Sequence, residues 1–392
     1  MALIPYGKQN INDYDIAAVV KVLASDFLTQ GPVVPEFEKA LANYCGAKFG
    51  VAVNSATSAL HLACLALGVG DGDLVWTTPI SFVATANCAI YCGAKVDFVD
   101  IDPRTYNLSV ERLVEKLEKA EKLGALPKVV IPVHLCGQSC DMVSIFELSQ
   151  KYGFKIIEDA SHALGGRYND VPIGNCRYSD VTVFSFHPVK IITTGEGGCA
   201  MTNCSELAGK MARMRSHGIT RDAAELVNIP DGPWYYEQIE LGFNYRMTDI
   251  EAALGLSQLS RLDKFVEKRQ LIASRYYEML KDFPAETPYI EPENYSAMHL
   301  YVIRLKLKDL GISQREVFER LRINGIGVNL HYIPIYRHPY YSCKGYLTKD
   351  YPEAERYYSE AISLPIYPHL KPEEQMDVIS ILKKPIGHQT IF

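Results

Sequence analysis

The sequence predicts an α/β protein: a mixed, mostly parallel sheet covered by helices, followed by a smaller C-terminal α/β domain. Three observations predict it. From about residue 48, short β-rich runs alternate with helical periods of ten residues or more, the signature of βαβ units. The runs "VTVFSF" and "GGCAMTN" then follow one another with no helix between them, so the sheet is mixed. After the turn-rich "DFPAETPYIEPENYS", a second and shorter α/β pattern begins with "HLYVIRLKL".

The elements can be justified in order. "FGVAVN" is a short apolar run before a helix containing "SALHLACLAL". "DLVWTT" precedes "SFVATANCAIY", and "KVDFVDI" precedes the amphipathic "SVERLVEKLEKAEKL". "KVVIPVHL" precedes "MVSIFELSQKYG", and "FKIIEDA" closes the series. Apolar on both faces, these runs read as strands buried under helices on either side. A long helical stretch is expected from Thr248 to Leu280. The domain boundary is expected near residue 265, giving a large domain over 1–265 and a small one over 266–392.

Bulk properties narrow the function. The chain has 392 residues, 48% hydrophobic and 22% charged, with a net charge of −6 and no basic block. That balance disfavours nucleic acid or an anionic membrane as partner. No apolar run is long enough for a membrane-spanning helix. The N-terminal "MALIPYGKQNIND" has neither the basic nor the apolar region of a signal peptide. A cytoplasmic location is therefore expected. The ten cysteines are scattered rather than arranged as a disulfide framework. Cys88 with Cys92, and Cys136 with Cys140, are pairs without matching ligands nearby, so no metal is expected.

In open parallel sheets the ligand sits beyond the carboxyl ends of the strands. Loops at 54–57, 77–82, 134–138, 159–164 and 185–190 thereby become candidates. Lys190 falls on one of them, between two strands. Asp159 ends the buried run "FKIIED", where a carboxylate needs a partner. An N-cap would suffice for an isolated aspartate. Beside a lysine, a second reading gains weight: a carboxylate that keeps the ring nitrogen of pyridoxal 5′-phosphate protonated, with Lys190 holding the coenzyme and moving protons. "VAVNSATSALHLA" offers a helix start where Thr57 and Ser58 could bind a phosphate. Ser185 could donate to the same phosphate, Phe82 could stack on the pyridine, and His162 could reach its ring hydroxyl. Each has a plainer reading alone, as helix cap, core ring or structural histidine. A dinucleotide-binding oxidoreductase is disfavoured because "VAVNSATSAL" contains no glycine. A coenzyme-binding regulator lacks a basic DNA-binding segment to support it.

The stretches "NSATSALHLA", "TTPISFVATAN", "VHLCGQ", "EDASHALG", "SFHPVKIITTGEGG" and "GFNYRMTDIEAALGLSQL" resemble the nucleotide-sugar aminotransferases of the DegT/DnrJ/StrS family. The resemblance covers nearly the whole chain. It implies a fold-type I pyridoxal phosphate enzyme acting on a UDP-linked 4-keto-6-deoxy sugar, with L-glutamate as amino donor. Lys190 matches the coenzyme-bearing lysine, and Asp159 the pyridine partner. His162 stands where some members have glutamine. Thr57, Ser58 and Ser185 match the phosphate loop. Asn244 matches a residue reaching the phosphate from a second subunit, which implies a homodimer. Tyr6, the segment Asp26, Phe27, Leu28 and Thr29, and His331 with Tyr332 match positions lining the sugar site. One branch of the family has histidine for the lysine and dehydrates sugars; Lys190 places this chain outside it. The span "NLHYIPIYRHPYY" adds Asn329 and Tyr336 as donors and walls for a UDP-sugar.

Overall fold

The computed structural model describes residues 3–384, so positions 385–392 of the expected small domain lie outside the described residues. Seven strands form the main sheet: β1 Phe49–Val53, β2 Leu74–Thr77, β3 Lys95–Phe98, β4 Val129–Ile131, β5 Lys155–Asp159, β6 Val181–Ser185 and β7 Gly198–Thr202. Their spatial order is β1-β7-β6-β5-β4-β2-β3. β7 runs antiparallel to β1 and β6, and the other pairs are parallel. The direct step from "VTVFSF" to "GGCAMTN" is therefore the one hairpin-like pairing in an otherwise crossover-built sheet.

Helices α1 Asp13–Leu23 and α2 Val33–Cys45 precede the sheet. α3 Ala56–Ala66, α4 Ala84–Tyr91, α5 Val110–Leu123 and α6 Met142–Tyr152 are its crossovers. α5 shows why such segments become helices. Leu113, Leu117 and Ala120 fall on one stripe and are buried, Ser109 caps the start, and Gly124 ends the helix at φ 62°. α3 has no polar face, and residues 58–64 are all buried. It packs against α4, the sheet and α7 Ser205–Met214.

The expected single helix from 248 to 280 is two helices, α8 Asp249–Leu259 and α9 Leu262–Leu280. The break falls at Arg261, whose backbone leaves the helical region (φ −115°, ψ 5°) while its guanidinium pairs with the buried Asp15 of α1. Asp15 also accepts from Ser257 Oγ and Gln258 Nε2 of α8 at 2.7 Å each. A cluster of polar bonds between α1 and α8 thus outweighs helix propensity at one residue.

α9 joins two cores. Leu262, Phe265 and Val266 pack with α2, whereas Ile272, Ala273, Tyr276 and Leu280 pack with the C-terminal residues. There a three-stranded antiparallel sheet, β8 Ala285–Glu286, β9 Tyr301–Leu305 and β10 Ala361–Leu364, carries helices Gln314–Ile323 and Pro372–Lys383. The segment from Ile335 to Tyr357 crosses back into the main core beside Phe98. This places Tyr336 in the core and not at a sugar pocket: it stacks on Tyr351 at 4.7 Å and bonds Glu355 at 2.8 Å.

The N-terminal segment is tied to the C-terminal unit. The Gly327 N–H donates to the Ile4 carbonyl (2.7 Å) and the Ile366 N–H to the Tyr6 carbonyl (3.0 Å). A Cβ on Gly327 would lie 2.9 Å from both the Ile4 oxygen and the Pro5 Cα, so only glycine lets the two segments meet. Among the described residues, no helix is long and apolar enough to cross a membrane.

Candidate active site

Parallel pairing sets the carboxyl ends of β5 and β6 side by side, with Asp159 in register with Val183. The antiparallel ladders align Ser185 with Gly198 and Gly198 with Val53, one residue before the loop that opens α3. A cavity of about 520 Å³ lies over these ends, a size suited to a coenzyme and small substrate. Of the residues expected from sequence, Tyr6, Thr57, Phe82, Asp159, His162, Ser185, Lys190, Asn329, His331 and Tyr332 line it.

Asp159 is 5% exposed, and its charge is held by two donors. Thr85 Oγ1 donates to Oδ2 at 2.6 Å, and the Ser161 N–H to Oδ1 at 3.2 Å. Since Thr85 spends its proton on Asp159, the Ser81 hydroxyl donates to Thr85 in turn (2.7 Å). Lys190 sits in the turn after β6, fixed by its N–H to the His187 carbonyl at 2.9 Å. Burial pulls its ammonium down to about 8, while Asp159 acts upward. Near neutral pH a useful fraction of the amine is therefore free to act as nucleophile or base.

The helix start at α3 is shaped by its cap. Ser55 Oγ accepts from the Ser58 N–H at 3.1 Å, leaving Ala56 and Thr57 as the first-turn donors. Ser58 lies outside the cavity lining: its N–H is taken by the cap, and its hydroxyl donates to Asn54 Oδ1 at 2.6 Å. Gly198 faces this turn so closely that a Cβ would lie 2.5 Å from the Ala56 nitrogen. Lack of a side chain there keeps the helix start, Ser185 and Lys190 around one cavity.

His162 Nδ1 accepts from the Cys136 N–H at 3.3 Å, so its proton is on Nε2, 3.1 Å from the Tyr332 hydroxyl. Burial, then Lys190 and His331, hold this imidazole well below its ordinary value, so it is neutral. The Nε2–H is spent on Tyr332, and Tyr332 offers its own hydroxyl proton. His331 is likewise engaged, with Ser363 Oγ at 2.8 Å and Asn329 Nδ2 at 3.3 Å. Its ring stands 5.2 Å from that of Tyr6. Phe82 is 58% exposed at the cavity mouth, 6.2 Å from Tyr332 ring to ring.

Asn244 and Asp26 to Thr29 do not line this cavity within one chain. Both are exposed; Thr29 bridges Thr248, and the Leu28 carbonyl accepts from the Asp249 N–H at 3.0 Å. These contacts anchor the 26–29 turn to the start of α8.

Sequence reasoning missed Ser81, Thr85, Ser161 and His299. Ser81 and Thr85 stand four residues apart on either side of Phe82, Ser81 before α4 and Thr85 in its first turn. His299, at the head of β9, carried no local signal. The thiols are all free, and no group of metal-ligating side chains occurs among the described residues.

A buried carboxylate, a lysine of lowered basicity and a helix start facing one cavity are what pyridoxal phosphate requires. The chain belongs to the DegT/DnrJ/EryC1/StrS aminotransferase family, whose sequence model matches residues 9–383. It is a pyridoxal phosphate-dependent sugar aminotransferase of fold-type I, as the motifs implied. Among particular relatives, it is 40% identical over 389 residues to a UDP-4-amino-4,6-dideoxy-N-acetyl-beta-L-altrosamine transaminase of Campylobacter jejuni, covering 97% of this chain and 98% of that one. Helicobacter pylori PseC, an aminotransferase of pseudoaminic acid biosynthesis, superposes with TM-score 0.87 at 33% identity, over 97% of this chain and 98% of that one. Spr1654 of Streptococcus pneumoniae, assigned as a sugar aminotransferase and solved in its PMP form, gives TM-score 0.87 at 30% identity over the same shares.

Proposed function

We propose that the protein transfers an amino group from L-glutamate to the C4 ketone of UDP-2-acetamido-2,6-dideoxy-β-L-arabino-hex-4-ulose. The product is UDP-4-amino-4,6-dideoxy-N-acetyl-β-L-altrosamine, an intermediate on the way to pseudaminic acid. The observation that carries this reading is the 40% identity, over nearly the full chain, to the C. jejuni transaminase named for that product.

Bound in the cavity, the coenzyme supplies an electron sink for the carbon that loses or gains a proton. The residues of this chain do the rest. Asp159, fixed by Thr85 and Ser161, would pair with the protonated ring nitrogen. Ala56 and Thr57 N–H groups, with the Thr57 and Ser185 hydroxyls, would bind the phosphate. Phe82 would stack on the ring. Lys190 Nζ would anchor the coenzyme and, once released, would take the α-proton of the amino donor in one half-reaction and deliver a proton to sugar C4 in the other. Tyr6, Asn329, His331 and Tyr332 border the sugar.

The working unit is proposed to be a cytoplasmic homodimer. In it the exposed Asn244 and Asp26 to Thr29 meet the partner and contribute to a shared site. The residues 1–265 and 266–392 are proposed as large and small domains, with the first 30 residues serving the sugar site.

The test is a competition between the L-arabino 4-keto sugar and its D-configured C5 epimer, with product NMR. A preformed pocket misplaces C4 of the wrong epimer, and about 1 Å of misplacement costs roughly 10²-fold. The L-sugar amine should dominate. A dominant D-product, or preference for another UDP-, dTDP- or GDP-linked keto sugar, would leave the sugar aminotransferase and overturn this substrate.

A further inference from the structure

His299 is unaccounted for by the roles above. It lines the cavity, is 4% exposed, and its Nδ1 has no hydrogen-bond partner. Its backbone is clamped on both sides: its N–H donates to the Cys136 carbonyl at 2.9 Å, and its carbonyl accepts from Arg269 Nη1 at 3.1 Å. The ring packs 4.5 Å from that of His162. An unpaired buried N–H is costlier to leave than an unpaired lone pair, so the proton belongs on Nε2. A preset ring thus has a donor to offer.

Arg269 sharpens the point. It is 1% exposed, and its partners are the carbonyls of Met298, His299 and Ile366 at 3.1–3.3 Å, with no carboxylate. Its Nε is unpaired. A buried guanidinium held by neutral oxygens leaves positive potential that an anion nearby would relieve. The nitrogen bases lining the cavity are His162, His187, Lys190, His299 and His331, and the lining carboxylates are Asp159, already engaged, and Glu196.

We propose that His299 Nε2–H, backed by Arg269, binds the α-carboxylate of the amino-acid donor. The choice of anion follows from connectivity. In an α-amino acid the carboxylate is two bonds from the reacting nitrogen, so it must lie close to Lys190. The diphosphate of a nucleotide sugar hangs from C1, across the ring from C4, and cannot reach the same wall when C4 is in place. The proposal rests on the transaminase reading with an amino-acid donor, but not on which sugar is used.

The donor half-reaction tests it without any sugar. With the coenzyme-loaded enzyme, conversion by L-glutamate is followed by absorbance, and binding of glutarate, a non-reacting dicarboxylate, by calorimetry. His299→Phe should weaken both ten- to hundredfold, the scale of a lost hydrogen bond to a charged group. The sugar half-reaction should keep its KM. His299→Asn, which retains an N–H donor, should recover most of the loss. As a measurement independent of variant folding, ¹⁵N-histidine spectra of the unmodified enzyme should show the His299 ring shifting with glutarate and not with UMP. The proposal is overturned if L-glutamate and glutarate are unaffected, if the sugar KM rises instead, or if UMP alone moves the His299 signal. A wrong sugar assignment leaves every one of these donor measurements intact.

Discussion

Gly198→Ala tests whether the cavity depends on the contact between β7 and the start of α3. The added Cβ would lie 2.5 Å from Ala56 N, 2.6 Å from Ser55 C and 2.7 Å from Ala56 Cα, where ordinary contact begins at 3.4 Å. The shortfall is about 0.9 Å, and every obstructing atom is backbone, so no side-chain rotation relieves it. β7 is held on both edges by β1 and β6, so the helix start is the part that yields. Overpacking of this kind costs about 1–3 kcal/mol of stability. Displacing the Ala56 and Thr57 donors should forfeit at least one charge-assisted bond, weakening coenzyme affinity about ten- to hundredfold. The assay is calorimetric titration of the apoenzyme with pyridoxal phosphate, alongside thermal unfolding. Gly209→Ala is the control: it lies in α7 with nothing within 4 Å, so it should leave affinity unchanged and raise stability slightly. Coenzyme affinity within twofold of the parent in Gly198→Ala would refute the reasoning.

Asp159→Asn keeps a partner for Thr85, so the variant should fold and bind coenzyme yet lose several kcal/mol of transition-state stabilisation; a near-normal kcat would reduce Asp159 to a turn cap. Lys190→Met should make the apoenzyme more stable near pH 7, by at most about 3 kcal/mol, because a lysine lowered to about 8 disfavours folding while protonated. Between pH 8 and its ordinary value near 10.5, the unfolded chain holds a proton that the folded one has released, so parental stability rises with pH and the gap closes. A gap that is flat across that window in paired melts would count against a buried amine.

The periodicity of 48–203 was enough to read the sheet, because strands buried on both faces must be apolar throughout and their crossovers amphipathic. The single antiparallel step was legible from a missing helix. Lys190, Asp159 and Thr57 were legible because strand ends in such sheets converge on one crevice, so local motifs already share an address. The split of 248–280 was not legible: Arg261 is a good helix former, and its partners, Asp15 and Asn10, lie 246 and 251 residues earlier.

Side chains named from motifs can already be engaged by a neighbour, distant or local. Ser58 was spent on its own cap and Asn54, and Tyr336 on Glu355 and the ring of Tyr351. Position in a motif says which group is available, not which partner has already taken its proton. His299 is the converse case. Its surroundings come from Cys136, His162 and Arg269, three separate parts of the chain, so no window of sequence holds them together. Period thus determined the sheet, and the strand-end rule put Lys190 and Asp159 at one crevice, because both follow from contacts along or between adjacent strands. Which nitrogen carries a proton, which charge lacks a counterion, and which donor remains free to meet a ligand were decided only by tertiary packing, because hydrogen-bond satisfaction is a property of the assembled neighbourhood.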